Sequence, residues 1–508
     1  MSDTALPRRD RLAFLSALLL SIGGLVGVTP GVASGEGLAV DNPHRWSGYA
    51  IRATGDADGG WIGGYRVGQT PLYVVTPTRS PNRAGFETPR EVDDVAGRAA
   101  SRSETERAAW ILSKYGDYRD ATQAAAVDAT VYHLLIGGKW HLGQARGAPR
   151  IRQSGDPASV SRFARIMLRQ SRASAGAYTA RLVASSADLG GAVAVTLSVV
   201  DGQGRPAAGL PVTLAMSGAA ALTSVTGDDG RAVGSFPATA RGWQEVTATV
   251  RHVPDHRLHV WPPEKDGQAA AAEGGARREI VVSAQAPVRG PQTLSLAADP
   301  TQLVVGSSAR VVATVGGDGS GRAAGATLHG PFASASSAHC GGASVGPVTA
   351  SVSGDGGYTL PAITPSSGGY WVWRVAVDGT ATNVPISACG ATVKVRGRAG
   401  VTLTAPATAS VAGVVSAQVT VTGLPFGGPV DVTTTLYGPY DTAAEACTGT
   451  GPHSDVTQRR PGVGTFTSLS FQVDQSGWYA WRASLPDGDL WLGATSACGG
   501  VGTLTQVP

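Results

Sequence analysis

A mainly β protein is the fold class the sequence predicts: an N-terminal α+β head followed by three immunoglobulin-like β-sandwiches. Three observations point to it. Glycine and proline are abundant, at 70 and 31 of 508 residues, and both are costly inside helices but suit turns between short strands. Helical periodicity is confined to one stretch near the front. The last third carries an internal repeat about the length of one sandwich domain. At 508 residues a single core is not expected.

The chain opens with Arg8, Arg9 and Arg11, an apolar run from Leu12 to Val28, and small residues in TPGVASGEG. That order is the order of a secretory signal peptide, residues 1–34, cleaved near Ser34. The alternative is an uncleaved anchor, for which the run is short and loosened by Gly23 and Gly24. No later stretch is long and apolar enough to span a membrane. The C-terminal GGVGTLTQVP has neither a hydrophobic tail nor a sorting sequence, so release or non-covalent retention is expected. Export suits the cysteines: Cys340, Cys389, Cys447 and Cys498 are even in number and lack zinc spacing, which predicts disulfides. A net charge of +4 is too small to argue for nucleic acid.

Residues 41–176 form the expected head. GGYRVG and PLYVVT read as strands. ETERAAWILSKYG reads as a helix with Ala108, Ile111, Leu112 and Tyr115 inward and Gly116 as its stop. ATQAAAVDATVYHLLIGG follows, with Ala124, Val127, Val131, Leu134 and Leu135 on one stripe, and a third helix is expected from Pro157 to Ser174. On that third helix Arg162, Arg165, Arg169 and Arg172 share a face, with Arg146, Arg150 and Arg152 just before. The row is either a solvated face or a contact for an anionic wall polymer or membrane. Asp128, His133 and His141 are the concentrated titratable groups, but no nucleophile elbow, zinc-protease motif or phosphate loop accompanies them. An enzyme would need a deep polar pocket around Asp128 or His133.

The segment AAWILSKYGDYRDATQAAAVDATVYHLL is similar to the helical part of the TQxA thioester domains of Gram-positive surface adhesins, with Thr122-Gln123-Ala124-Ala125 in the TQxA position. The resemblance implies an internal Cys–Gln thioester that captures a nucleophile on a host. The sequence departs from it at the decisive atom, because no cysteine precedes Cys340. The segments where the family's thiol would fall, Tyr49-Ala50-Ile51 and Tyr73-Val74-Val75, carry apolar residues instead. Thr122 and Gln123 are thus read as a motif remnant in a degenerate head without covalent chemistry.

Residues 178–285 read as a sandwich. Alternating strands flank GDDG, a tight turn, and the order resembles bacterial Ig-like modules of the invasin and surface-adhesin type. PPEKDGQAAAAEGGAR, 262–277, reads as a low-complexity loop. His252, His256 and His259 precede it and read as a solvated strand end, since no carboxylate or cysteine constellation in the sequence supports a metal. No metal or cofactor is expected.

The repeat defines 291–398 and 399–508. HGPF at 329 matches YGPY at 437, Cys340 matches Cys447, GYWVWR at 369 matches GWYAWR at 477, and SACG at 387 matches SACG at 496. The offsets are 108, 107, 108 and 109 residues. The repeat symmetry pairs Cys340 with Cys389 and Cys447 with Cys498, each link adding about 3–4 kcal/mol by restricting the unfolded chain. Trp371, Trp373, Tyr479 and Trp481 are expected in the sandwich core, around the disulfide; a sugar-binding protein would instead expose them on one flat face. Lys–Asn isopeptide links are not expected in the stalk, since only Asn383 and Lys394 share a stalk module. Residues 399–508 hold three Arg and no Lys against seven acids, so the chain is basic in front and acidic behind. The reading is a secreted, non-enzymatic, adhesin-like surface or matrix protein from a high-GC Gram-positive bacterium, partnered by a host or cell-wall polymer or a surface protein. The alternatives are a wall- or carbohydrate-binding protein and a secreted enzyme with Ig-like accessory modules.

Overall fold

The structure, a computed structural model, describes residues 44–52, 60–93, 100–448 and 451–508. The expected signal segment, residues 1–34, lies outside the described residues. The chain is mainly β, and helices α1 (Arg102–Tyr115), α2 (Ala121–Leu135), α3 (Gly147–Arg152) and α4 (Pro157–Ser174) all belong to the head.

The head is built on one antiparallel sheet in the order His44–Ala50, Trp61–Val67, Thr70–Val74, Ala271–Glu273, Leu258–Trp261, Arg90–Val92. Two of these strands come from far along the chain. The reason lies in the next module, where Gly242–Pro254 and Arg277–Arg289 pair as a long hairpin. Their register shifts between Val250 and Val253, where His252 takes a φ of 56°. A bulge of this kind bends and twists a ribbon. The chain beyond it leaves its own sandwich and fills the middle of the head sheet. The expected loop at 262–277 therefore supplies a central strand, with Ala271 and Ala272 buried. Its alanines look like low complexity but stand in register between larger residues, Ala271 between Val74 and Trp261 and Ala272 between Tyr73 and Val260.

α1 begins at a full capping box, with the Ser101 side chain on the Glu104 amide and Glu104 returning the bond. Gly116 ends it with an ordinary helical φ of −75°, so conformational freedom is not what the glycine supplies. A Cβ there would lie 2.6 Å from the Cα of Gly274, where the returning hairpin crosses the helix end. α2 is buried on nearly every side rather than along one stripe, because α1 and α4 cover one flank and the sheet the other. α4 starts at Asp156, whose side chain accepts from the Ser159 amide, with Pro157 at the first helical position.

Three β-sandwiches follow on a common plan. In the first, Arg231–Pro237, Ala192–Val200 and Thr179–Ala184 face a five-stranded sheet containing the long hairpin, Pro211–Met216, Leu222–Val225 and Ala187–Asp188. The opening strand divides between the two sheets: Thr179–Ala184 runs antiparallel in one, and Ala187–Asp188 runs parallel to the closing strand in the other. The next module repeats the device with Thr293–Asp299 and Gln302–Val304, and the last with Gly400–Thr404 and the parallel bridge Thr408–Gln506. Apolar residues alternate inward along each strand, as in Ala192–Val200, where Val193, Val195, Leu197 and Val199 are buried.

The head and first sandwich share one hydrophobic core that runs from Ile62, Ile111 and Val127 to Leu197, Leu214 and Val246. The later sandwiches have cores of their own, centred on Trp373 and Trp481. Successive units also bond directly. Gly290 donates to Thr382, Val384 donates to Gly290, and Arg241 Nη2 donates to the Gly317 carbonyl at 2.7 Å. Gly397–Arg398 pairs in parallel with Trp491–Leu492, beside the ion pairs Arg396–Asp487 at 2.9 Å and Lys394–Asp489. That pair engages Lys394 away from Asn383, which is buried against Asp318 and Ser320.

Two stability outcomes follow from this packing. Gly274→Val forces the hairpin off the α1 terminus and costs about 1–3 kcal/mol in urea unfolding. Trp481→Ala, at a fully buried position, costs about 3–5 kcal/mol.

Candidate functional site

Thr122 and Gln123 stand at the N-terminus of α2, where Asp120 caps the helix by accepting from the Gln123 amide at 2.8 Å. Of the two candidate thiol segments, Tyr49-Ala50-Ile51 lies next to the motif. The Tyr49 hydroxyl is 2.7 Å from Thr122 Oγ1. Gln123 Nε2 donates to the Tyr115 carbonyl at 3.2 Å, which fixes its amide to the end of α1. The second segment is buried, and the Tyr73 hydroxyl donates to the Gly116 carbonyl. The motif position thus holds two hydroxyls and a restrained amide, a set that makes hydrogen bonds and no thioester.

Asp128 is engaged inside the head. It is buried and accepts from Arg150 Nη2 at 2.6 Å, and each side chain is 2% exposed. The guanidinium also donates to the Trp61 carbonyl and lies over the Tyr132 ring. Arg150 therefore leaves the basic surface on which the sequence placed it. It faces inward because α3, absent from the sequence reading, turns that side of the chain onto α2. Replacing one partner of such a pair leaves a buried uncompensated charge. His133 meets His141, Nδ1 to Nδ1 at 2.9 Å, a contact in which one ring nitrogen donates and the other accepts. Burial first, then the His141 ring and Arg107, push His133 down to about 4.

Arg162, Arg165, Arg169 and Arg172 are exposed along α4, opposite the buried Val160, Ala164, Met167 and Ser171. None forms an ion pair among the described residues. Arg165 Nε donates to the Ser161 carbonyl, and Arg162 lies over Phe163. Arg152 is exposed beside this row, while Arg146 lies against Trp140.

The histidines near 252–259 do not form a simple solvated strand end. Beside the nearby Asp255, the fold brings a carboxylate from a distant strand, Glu91, to His259. Its Nε2 is 3.1 Å from Asp255 Oδ2 and 3.7 Å from Glu91 Oε1. The Asp255 hydrogen bond raises His259 above its usual value, against the effect of burial. Burial would raise Asp255, but His259 and the Arg257 and His256 amides outweigh it and hold the carboxyl low. This grouping was illegible in sequence because Glu91 is on a head strand and the other two are on the hairpin's excursion.

In the repeats, Trp371, Trp373, Tyr479 and Trp481 are all buried, at 1%, 0%, 5% and 0% exposure, so they present no flat aromatic strip. Both disulfides, Cys340–Cys389 and Cys447–Cys498, are present, but they do not sit inside the aromatic core. Cys389 is exposed and the other three are half-buried. Each link ties the loop after a GPF or GPY strand to the chain that closes the module, because those segments meet at the sheet surface.

No protein-family model matches the chain, and no curated protein matches it. Solved structures with some likeness include a tetra-tandem repeat from the extending region of a large adhesion protein, at 15% identity and TM-score 0.30, covering 64% of this chain and 74% of that one. An I-band fragment from titin gives 12% and 0.34 over 65% and 97%. Invasin, a bacterial integrin-binding protein, gives 16% and 0.21 over 60% and 56%. At these scores the likenesses add nothing to what the sheets themselves show.

Two outcomes test the head. Asp128→Ala costs about 3–5 kcal/mol in chemical denaturation, because the buried Arg150 guanidinium loses the Asp128 carboxylate. His133 is held below the ordinary 6.5, so the unfolded chain binds more protons between 6.5 and about 4. Its contribution is intact above 6.5 and is lost as pH falls through that window. His133→Gln flattens the stability slope there, read by urea titration at stepped pH.

Proposed function

We propose that this chain is a secreted, non-enzymatic, adhesin-like surface or matrix protein, with a degenerate thioester-type head carried on an Ig-like stalk. The observation that supports it most is the way successive units are joined. The hairpin of the first sandwich completes the head sheet, and the two later modules meet through a parallel strand pair and two ion pairs. A protein that only needed tethered domains would tolerate open linkers, whereas bonded junctions resist bending and hold a head at a distance. The titratable groups that an enzyme would use, Asp128 and His133, are tied to Arg150 and His141.

The surface offered to a partner is the arginine row of α4. Four guanidiniums on one exposed face suit an anionic polymer of the cell wall or of a host surface. Retention at the wall is then electrostatic and salt-sensitive. The head contributes contact rather than covalent capture.

Intact-mass measurement of the secreted protein, with and without methylamine, tests the chemistry. The expected mass is that of a chain cleaved near Ser34, less two hydrogens per cysteine pair and unchanged by methylamine; ammonia loss or amine addition overturns the reading of the head. Binding to an immobilised phosphate-rich wall polymer tests the partner. Replacing Arg162, Arg165, Arg169 and Arg172 together by Gln weakens it about tenfold or more at low salt. Unchanged retention refutes the assigned surface.

A further inference from the structure

We propose that Glu91, Asp255 and His259 form a divalent-metal site of the zinc class, which clasps the hairpin excursion of the first sandwich to the edge strand of the head. This inference is independent of the adhesin reading.

One ligand atom from each of Glu91, Asp255 and His259 lies within 4.8 Å of the other two. Two ligands on one tetrahedral Zn2+ at about 2.0–2.1 Å stand about 3.3 Å apart. The His259–Asp255 and His259–Glu91 separations of 3.1 and 3.7 Å bracket that value. A proton alone accounts for only one of them. It joins His259 to Asp255, but at 3.7 Å Glu91 Oε1 is beyond hydrogen-bond reach of the same nitrogen at which it converges.

Each carboxylate is oriented by its other oxygen. Glu91 Oε2 accepts from Arg257 Nη1 at 2.8 Å, and Arg257 Nε is held in turn by Asp93. Asp255 Oδ1 accepts from the His256 and Arg257 amides, leaving Oδ2 for the centre. The Asp255 amide donates to Ser113 Oγ, which anchors the turn to α1. Such outer contacts keep ligands aimed and ionised. The scaffold is ordered pairing on both sides, since His259 faces Glu91 directly in the register of Leu258–Trp261 with Arg90–Val92. One imidazole and two carboxylates suit Zn2+ or Mn2+ rather than a thiolate-seeking metal, with a fourth position for water. Arg257, Arg102 and Arg278 border the same hollow and temper the attraction for a doubly charged ion. Binding weaker than at the same ligand set without those guanidiniums is therefore expected.

Calorimetry of the full, chelator-stripped chain with Zn2+ at neutral pH tests the site, with Co2+ absorption reporting its geometry. One equivalent binds, Co2+ shows the visible bands of a low-coordinate nitrogen–oxygen site, and the melting temperature rises with Zn2+. His259→Ala and Glu91→Gln each lower the affinity about 100-fold or more. Their circular dichroism and metal-free melting confirm that the variants fold. His133→Ala with His141→Ala, which removes the close histidine pair elsewhere in the head, leaves the affinity unchanged. Absence of binding overturns the proposal, as does binding that survives His259→Ala or is lost with the His133 and His141 pair.

Discussion

The structure depends on one hairpin refusing to stay inside its own sandwich. Gly242–Pro254 and Arg277–Arg289 are long enough to serve two sheets, and the bulge at His252 turns their far ends into the head. Without Leu258–Trp261 and Ala271–Glu273, Thr70–Val74 and Arg90–Val92 would have no partner between them, and the head sheet would fall into two pieces. Backbone groups left unpaired in a covered sheet are costly, so the head's sheet requires the module behind it. The shared core and the Gly116–Gly274 crossing express the same dependence in side-chain packing.

That dependence also sets what the head can do. Its interior polar groups are used for cohesion: Asp128 on Arg150, His133 on His141, Gln123 on the end of α1, Tyr49 on Thr122. The arginines of α4 stay exposed on the outside, while Asp255 of the excursion meets Glu91 and His259 at the seam. The later modules follow a different economy. Their large aromatics fill small cores, their disulfides brace surface loops, and the two modules bond end to end.

Much of this was legible in the sequence, and for clear reasons. Period-two alternation marked the sandwich strands, and the repeated GYWVWR and GWYAWR segments marked two related modules whose tryptophans had to be buried. The bounds of α4 were readable because Asp156 and Pro157 signal a helix start in purely local terms. The cysteine pairing was readable because the repeat left little choice. The burial of α2 on all sides, the inward turn of Arg150 and the surface placement of the disulfides were not, since each depends on what other elements cover.

The sequence by itself determined the local grammar of this protein: strand and helix periods, caps, turns, the absence of a thiol ahead of Cys340, and the repeat. Those are properties of neighbours along the chain. Only the tertiary structure decided that an alanine-rich stretch is a central strand of a distant sheet, and that Glu91 stands beside Asp255 and His259. The physical reason is that sheet hydrogen bonds join backbones irrespective of sequence separation. A strand's composition can show that it needs a partner, but which partner it finds is settled by the packing of the whole head.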